Sequence, residues 1–157
     1  MKNENFLNDT HKSNYIELSN SESFLGNIKF KNEMHKENYI YLCALCRRLN
    51  EEVSPVMYLL SLFPEDYLSC NSAMSDIGFH KICDCFDFNL MHIKPSGIKQ
   101  AWQYSGSVKA TRLAFCLWNG FPTERPQKNN NVYNIFGSGF DMYFLQAIAL
   151  RFTGGVL

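Results

Sequence analysis

The sequence has no long apolar run and no net charge, and each absence excludes a class of protein. No apolar stretch approaches the roughly 18 residues that cross a bilayer, and the polar start MKNENFLNDTHK lacks the apolar region of a secretory signal. Fifteen basic residues balance fifteen acidic ones, unlike the basic excess of most nucleic-acid binders. We therefore expect a cytoplasmic protein that neither spans a membrane nor binds nucleic acid in general.

The short motifs of common enzymes are also missing. The turn Gly137-Ser138-Gly139 lacks the Lys and the Ser or Thr that complete a phosphate-binding loop. Neither the HExxH pattern of metalloproteases nor the GxSxG pattern of hydrolases occurs. No local signature supports a Cys–His nucleophile pair. We expect a protein that is not an enzyme and needs no cofactor.

What the sequence does contain is enough apolar material for one core. Of the 157 residues, 46% are hydrophobic and 15% aromatic, which excludes full-length disorder and a disulfide mini-scaffold. Residues 30–157 are predicted to form a single domain. Residues 1–29 are polar apart from small apolar clusters such as Phe24-Leu25, and we expect a flexible or loosely docked arm there.

Apolar residues recur at helical spacing through the predicted domain. Ser54 is placed to cap a helix that begins with Pro55, where a missing N–H costs nothing. The segment 139–152 is apolar on nearly every side, which predicts the central buried helix. No β-hairpin is expected, because no alternating segments flank a tight turn. The predicted helices span 32–50, 54–63, 78–90 (which also fits a short strand), 96–103, 108–119 and 139–152. The predicted fold class is all-α, a compact domain of about five to six helices.

The six cysteines have two interpretations. Without a secretory signal they are expected to be reduced, and free cysteine is among the most buried residue types. Zinc is the alternative, held by Cys43 and Cys46 with Cys83, Cys85 and His80. Cys43 and Cys46 lie within an apolar helical pattern, which favours buried thiols over a zinc-stabilised module.

The segment from Lys94 to Lys128 carries six basic residues and one acidic residue, interleaved with aromatic side chains. Trp, Tyr and Arg are common anchors of protein interfaces, and basic residues among aromatics also suit a nucleic-acid strand. The plainer alternative is a core with solvated lysines around it. The candidate partner-binding residues are Lys94, Lys99, Trp102, Tyr104, Lys109, Arg125 and Lys128.

Three polar residues on apolar helices are predicted to be structural. A buried arginine must be paired or hydrogen-bonded, so Arg112 and Arg151 are expected to tie helices together. His35 is expected to be a packed or capping histidine, not a ligand.

Three short segments are the most specific part of a wider pattern over about residues 30–152: Trp102-Gln103, Arg112-Leu113-Ala114-Phe115 and the final Ala147-Ile148 with Arg151-Phe152. In this pattern the chain resembles a family of small uncharacterised proteins found in Firmicutes and their phages. The resemblance implies no catalytic residues. Its setting implies a non-enzymatic binding or inhibitor protein that acts on a host protein or protein complex, such as an anti-defence or anti-CRISPR protein. A small nucleic-acid-binding regulator is the alternative.

Overall fold

The computed structural model describes residues 8–63, 76–98, 100–118 and 132–155, with the backbone alone for 76–80. The described residues form eight α-helices, five of them long, and 62% of these residues are helical and 3% are in strands, which confirms the all-α fold class. The helices are α1 (Asp9–Ser19), α2 (Glu22–Leu25), α3 (Glu33–Leu45), α4 (Val53–Leu60), α5 (Asp76–Cys85), α6 (Ser105–Leu117), α7 (Val132–Ile135) and α8 (Asp141–Phe152); strands β1 (Phe86–Asp87) and β2 (His92–Ile93) and a 3-10 turn (Pro95–Gly97) lie between α5 and α6.

Helix α4 is the centre of the fold. All eight of its residues are buried, and it packs against α3, α6 and α8. The prediction that residues 139–152 form the central buried helix is wrong. Helix α8 buries one side on α4 but exposes 52% of Met142 and 71% of Phe152, because nothing among the described residues covers its outer side.

The start of α4 also differs from the prediction of a Ser54 cap. Asn50 provides the cap instead: its side-chain oxygen accepts from the backbone N–H groups of Glu52 and Val53, at 3.1 and 2.9 Å. The helix therefore begins before Ser54, whose hydroxyl lies 2.7 Å from the Tyr39 hydroxyl in the core. Ser54 therefore forms a buried hydrogen bond with Tyr39 and does not cap the helix as the sequence had predicted.

Other helices begin or end at residues that differ from the predicted ones. Helix α3 ends at Leu45 and not at residue 50, since Cys46 adopts extended backbone. Helix α6 begins at Ser105, three residues before the predicted start, and Ser107 Oγ accepts from the Tyr104 N–H at 2.9 Å. The helix predicted over 96–103 is only the 3-10 turn. Helices α4 and α6 end at Leu60 and Leu117, before the predicted ends at residues 63 and 119. Pro64, Gly120 and most of the loop predicted over 121–138 lie outside the described residues.

The predicted arm, residues 1–29, is described from Asn8 onward. Helices α1 and α2 occupy it, and half-buried Tyr15, Leu18, Phe24 and Leu25 pack against the core. The small apolar clusters of this polar segment are thus the contacts by which it docks. No helix within the described ranges has both the length and the apolar character needed to cross a membrane.

Arg151 ties three elements together, as predicted. Its Nε donates to the carbonyl oxygen of Leu117 at the end of α6, at 3.0 Å. Its terminal nitrogen lies 3.9 Å from the carboxylate of Glu52, just before α4, and both side chains are largely shielded. For Arg112, the buried Nε has no hydrogen-bond partner among the described residues.

His35 joins the backbone just before α3 to α4 through two backbone groups. Its Nδ1 accepts from the Lys31 N–H at 3.1 Å, and its Nε2 donates to the Tyr58 carbonyl oxygen at 3.0 Å. The ring is fully buried and packs against Phe30, Tyr58 and Tyr143. One acceptor and one donor nitrogen require the neutral imidazole, which confirms the packed histidine that we predicted.

We predict that His35 makes the fold sensitive to acid. Burial is the main cause that lowers the pKa of His35 from its usual 6.5 to about 4. The hydrogen bond to the Tyr58 carbonyl raises this pKa, and the positive charge of Lys31 lowers it further. The unfolded chain therefore binds the proton more readily than the folded chain. The stabilisation is complete above pH 6.5 and is lost as the pH falls towards 4, by up to about 3 kcal/mol.

Urea unfolding of the wild-type chain and of His35→Gln at pH 7.5 and 4.5 measures this effect. We expect the free energy of unfolding to fall more between the two pH values in the wild type than in the variant. Equal losses in both proteins would contradict the assignment to His35.

Candidate functional site

A short hairpin projects from the end of α5. Strands β1 and β2 pair antiparallel, with Phe86 opposite Ile93 and Asp87 opposite His92. The base of the hairpin is fixed to Trp118 at the end of α6: the rings of Phe86 and His92 lie 5.7 and 5.6 Å from the indole, both edge-on. The hairpin is therefore anchored to the core through an aromatic cluster.

The hairpin turn holds Leu90 in solvent. Asp87 Oδ1 accepts from the N–H groups of Asn89 and Leu90, both at 2.9 Å. The hydrogen bond from the Leu90 N–H, followed by that from Asn89 and the charge of Lys94, lowers the pKa of Asp87. Met91 is buried with φ at +52°, a left-handed conformation that costs a non-glycine residue about 1–2 kcal/mol. Leu90, between these two constraints, is 77% exposed.

Two of the predicted partner-binding residues meet at the C-terminal end of α5. Lys94 Nζ donates to the Cys83 carbonyl oxygen at 2.8 Å, where a cation is favoured by the helix dipole. Trp102 Nε1 lies 3.4 Å from Asp84 Oδ2, and Lys81 Nζ lies 5.7 Å from the centre of the Trp102 ring. These four side chains, Lys81, Asp84, Lys94 and Trp102, are referred to below as the α5-end cluster.

The remaining predicted partner-binding residues do not all join this cluster. Tyr104, just before α6, is 72% exposed. Lys109 is half-buried on α6, and no hydrogen bond within the described ranges links it to the cluster. Lys99, Arg125 and Lys128 lie outside the described residues.

The structure also places the cysteines. Cys43, Cys46 and Cys85 are buried, whereas Cys83 and Cys116 are half-buried. Burial raises the pKa of Cys46 and of Cys85 to about 12 and raises that of Cys43 as well. Among the described side chains, which do not include that of His80, no three His, Cys, Asp or Glu residues come together as metal ligands. The burial of Cys43, Cys46 and Cys85 is consistent with the buried-thiol interpretation.

The sequence-based prediction missed the hairpin and with it Leu90. Residues 78–90 were assigned to one helix, and no hairpin was expected, although the same residues also fitted a strand. The sequence feature that indicates this turn is Asp87 followed by Asn89. Asp and Asn side chains accept hydrogen bonds from backbone N–H groups two or three residues later, and they favour turns over helix interiors.

Gly97 sets how closely the 3-10 turn approaches α5. A Cβ at this position would lie 2.6 Å from Cys85 Cα and 2.7 Å from the Asp84 carbonyl oxygen. We predict that Gly97→Ala lowers the free energy of unfolding by about 1–3 kcal/mol, because backbone must shift to admit the methyl group. Urea unfolding measures this loss, with Ser96→Ala, at the exposed neighbouring residue, as the control that stays near the wild type. A Gly97→Ala protein of unchanged stability would show that the contact is not tight.

Thiol reactivity is predicted to follow burial. Cys43, Cys46 and Cys85 are expected to react with iodoacetamide only when the protein unfolds, because the buried thiol resists ionisation and the thiolate is the nucleophile. Mass spectrometry of alkylated peptides, with and without urea, measures the protection. Fast modification of any of these three in the folded protein would reveal a reactive cysteine and contradict the prediction.

Comparison with known proteins gives a family but no activity. A model for DUF6075, a family of unknown function, matches residues 25–156. The match confirms the resemblance to uncharacterised proteins predicted over residues 30–152, and it begins at the last residue of α2. No curated protein and no solved structure matches the chain. With 25–156 matched, the chain belongs to the DUF6075 family.

Proposed function

We propose that this protein acts in the cytoplasm by binding a protein partner, without catalysis, and that the hairpin tip at Leu90 is its main contact. The observation that carries the proposal is the fixed exposure of Leu90, 77% of which faces solvent. Two bonds from Asp87 and the left-handed Met91 hold the turn. A strained backbone conformation persists only where the surrounding structure stabilises it, and such residues cluster at functional sites.

A fixed apolar side chain is an efficient binding anchor. Association normally costs free energy to order the side chains and loops of an interface, and a rigid loop avoids much of that cost. Burying an exposed leucine contributes about 1.5–3 kcal/mol. The hairpin therefore has the properties of an interface anchor before any partner arrives.

The α5-end cluster supplies the polar surroundings that such an anchor needs. Trp102 is half-buried, with Asp84 at its N–H and Lys81 over its face. Trp is enriched among the residues that dominate binding energy. Lys94, next to strand β2, contributes charge while its ammonium caps α5.

The buried histidine and the three buried cysteines support binding more than catalysis. Both ring nitrogens of His35 bond backbone groups inside the core, and Cys43, Cys46 and Cys85 are buried. A general base or nucleophile must reach a substrate and hold a suitable pKa. These four residues, whose pKa values burial moves away from neutrality, lack that access.

The partner that we propose is a host protein or protein complex, which this chain would inhibit. The support is the resemblance to small proteins of Firmicutes and their phages, where an anti-defence role, including anti-CRISPR inhibition, is one setting for a protein without catalytic motifs. A nucleic-acid-binding regulator remains the second candidate, favoured only by Lys81, Lys94 and Trp102 lying together.

Capture with matched variants tests the proposal. Tagged wild-type chain, Leu90→Ser and Val132→Ser are used to capture partners from nuclease-treated and untreated lysates of the cells that carry the gene. Val132, which is 70% exposed on α7, is the control for losing an exposed aliphatic side chain elsewhere. We expect a protein that the wild type and Val132→Ser retain after nuclease treatment and that Leu90→Ser loses by at least about tenfold, equivalent to 1.4 kcal/mol.

Each other outcome changes the conclusion. Equal capture by all three chains would remove Leu90 from the interface. Material that is lost with nuclease, or that falls steeply with salt, would favour the nucleic-acid candidate. All three chains should unfold at the same urea concentration, which excludes misfolding as the cause.

A further inference from the structure

A cleft lies where the first two helices meet the start of α3. Its volume is about 320 Å³, at the lower end of the range of about 300–1,000 Å³ that is typical of ligand pockets. Ser19, Asn20 and Ser21, at the junction of α1 and α2, line it together with Lys36 of α3. The cleft therefore has the size to hold a small molecule.

One part of the lining is apolar. It consists of Leu25, Ile28 and Phe30, all of which are half-buried and pack against the core. Because the core covers only part of each side chain, the rest of its apolar surface is available to a ligand. An apolar group that covers this surface is favoured by the hydrophobic effect.

The backbone that carries this apolar wall is held in place. Lys29, between Ile28 and Phe30, is bonded on both sides: its carbonyl oxygen accepts from the Tyr58 hydroxyl, and its N–H donates to the Gln146 side chain at 3.2 Å. The Phe30 ring lies 5.3 to 5.9 Å from the centres of three aromatic rings of the core. A ligand thus meets a wall that is already ordered, which lowers the entropic cost of binding.

The lining also carries one positive and one negative side chain, Lys36 and Glu22. Lys36 Nζ lies 3.6 Å from the Glu33 carboxylate, but these two side chains are 36% and 73% exposed, and an exposed ion pair contributes little free energy. No ion pair within the described ranges engages Glu22. Both charges can therefore turn to a ligand at little cost.

The two charges and the apolar wall restrict the chemistry of the ligand. Glu22 repels an anion that Lys36 attracts, and Lys36 repels a cation that Glu22 attracts. A molecule that carries both charges is attracted by both side chains. An α-amino acid with an apolar side chain combines an ammonium group, a carboxylate and an apolar group in one small molecule.

We propose that this cleft binds a free α-amino acid with an apolar side chain, such as leucine or phenylalanine. Lys36 binds the carboxylate, and Glu22 binds the ammonium group with the exposed amide oxygen of Asn20. The apolar side chain lies on the wall that Ile28 and its two neighbours form. The cleft shares no residue with the hairpin or the α5-end cluster, and the inference does not depend on the proposed function.

The ligand class is tested on the isotope-labelled wild-type chain by NMR titration. We expect L-leucine and L-phenylalanine to shift the amide signals of residues 22–30 in a saturable way. Isocaproate lacks the ammonium group of leucine, isoamylamine lacks its carboxylate, and glycine lacks its side chain. Each is expected to bind at least about tenfold more weakly than leucine, because each loses one of the three contacts.

The charged residues are tested by two substitutions in the full chain. Lys36→Met and Glu22→Gln remove one charge each and are expected to weaken leucine binding at least about tenfold. Lys12→Met is the matched control for Lys36→Met, because Lys12 forms a similar exposed pair with Asp9 at 4.0 Å and does not line the cleft. Glu17→Gln, at an exposed residue of α1, is the control for Glu22→Gln.

Every contrary result overturns a part of the proposal. A wild-type chain that binds neither amino acid up to their solubility limits would overturn the site. Leucine binding that Lys36→Met and Glu22→Gln both retain would place the ligand elsewhere. Isocaproate or isoamylamine binding as tightly as leucine would overturn the requirement for both charges. All variants should unfold at the wild-type urea concentration, and the ligand series on the wild type decides the ligand class if a variant does not fold.

Discussion

The complete burial of α4 is the constraint on which the other elements depend. A helix of eight residues with no side in water must be covered all round, and α3, α6 and α8 supply that cover. Its polar groups must then be satisfied inside the protein. Tyr39 bonds the hydroxyl of Ser54 and His35 bonds the carbonyl of Tyr58, while Arg151 reaches Glu52 just before the helix. The few polar side chains of the core thus fix which side of α4 each neighbour occupies.

The amino-acid pattern was sufficient for the fold class but not for the ranking of its helices. Apolar spacing identified the main helices, because burial of one face is what stabilises a helix in a protein of this size. The apolar pattern predicted that residues 139–152 form the most buried helix, because that segment is more uniformly apolar than residues 54–63. The burial of a helix depends on how many other elements pack against it, and the local sequence does not specify that number. The capping error at Ser54 has the same origin. A hydroxyl that suits a cap also suits a buried bond to a tyrosine fifteen residues away, and tertiary structure decided between them.

In the candidate site, too, some residues were predictable from the sequence and others were not. Trp102 and Lys94 were identified from composition, and the structure brings them to adjacent residues of α5. Their partners Cys83 and Asp84 were not predictable, because the pairing depends on how the turn at Gly97 approaches α5. Leu90 was missed because one helical pattern was extended through residues that form a turn. An exposed leucine has no signature in a sequence, since the same residue in the same pattern is far more often in the core.

The two bonds to Lys29 have a consequence for how the chain tolerates change. Because Tyr58 and Gln146 hold the carbonyl and the N–H of one residue, the backbone is immobilised at that point from both sides. The position of Lys29 is thus set by α4 and α8, although Tyr15, Leu18 and Phe24 before it also pack against the core. A change in the length of the chain before this clamp would therefore leave Lys29 in place while altering the contacts that α1 and Phe24 make with α3.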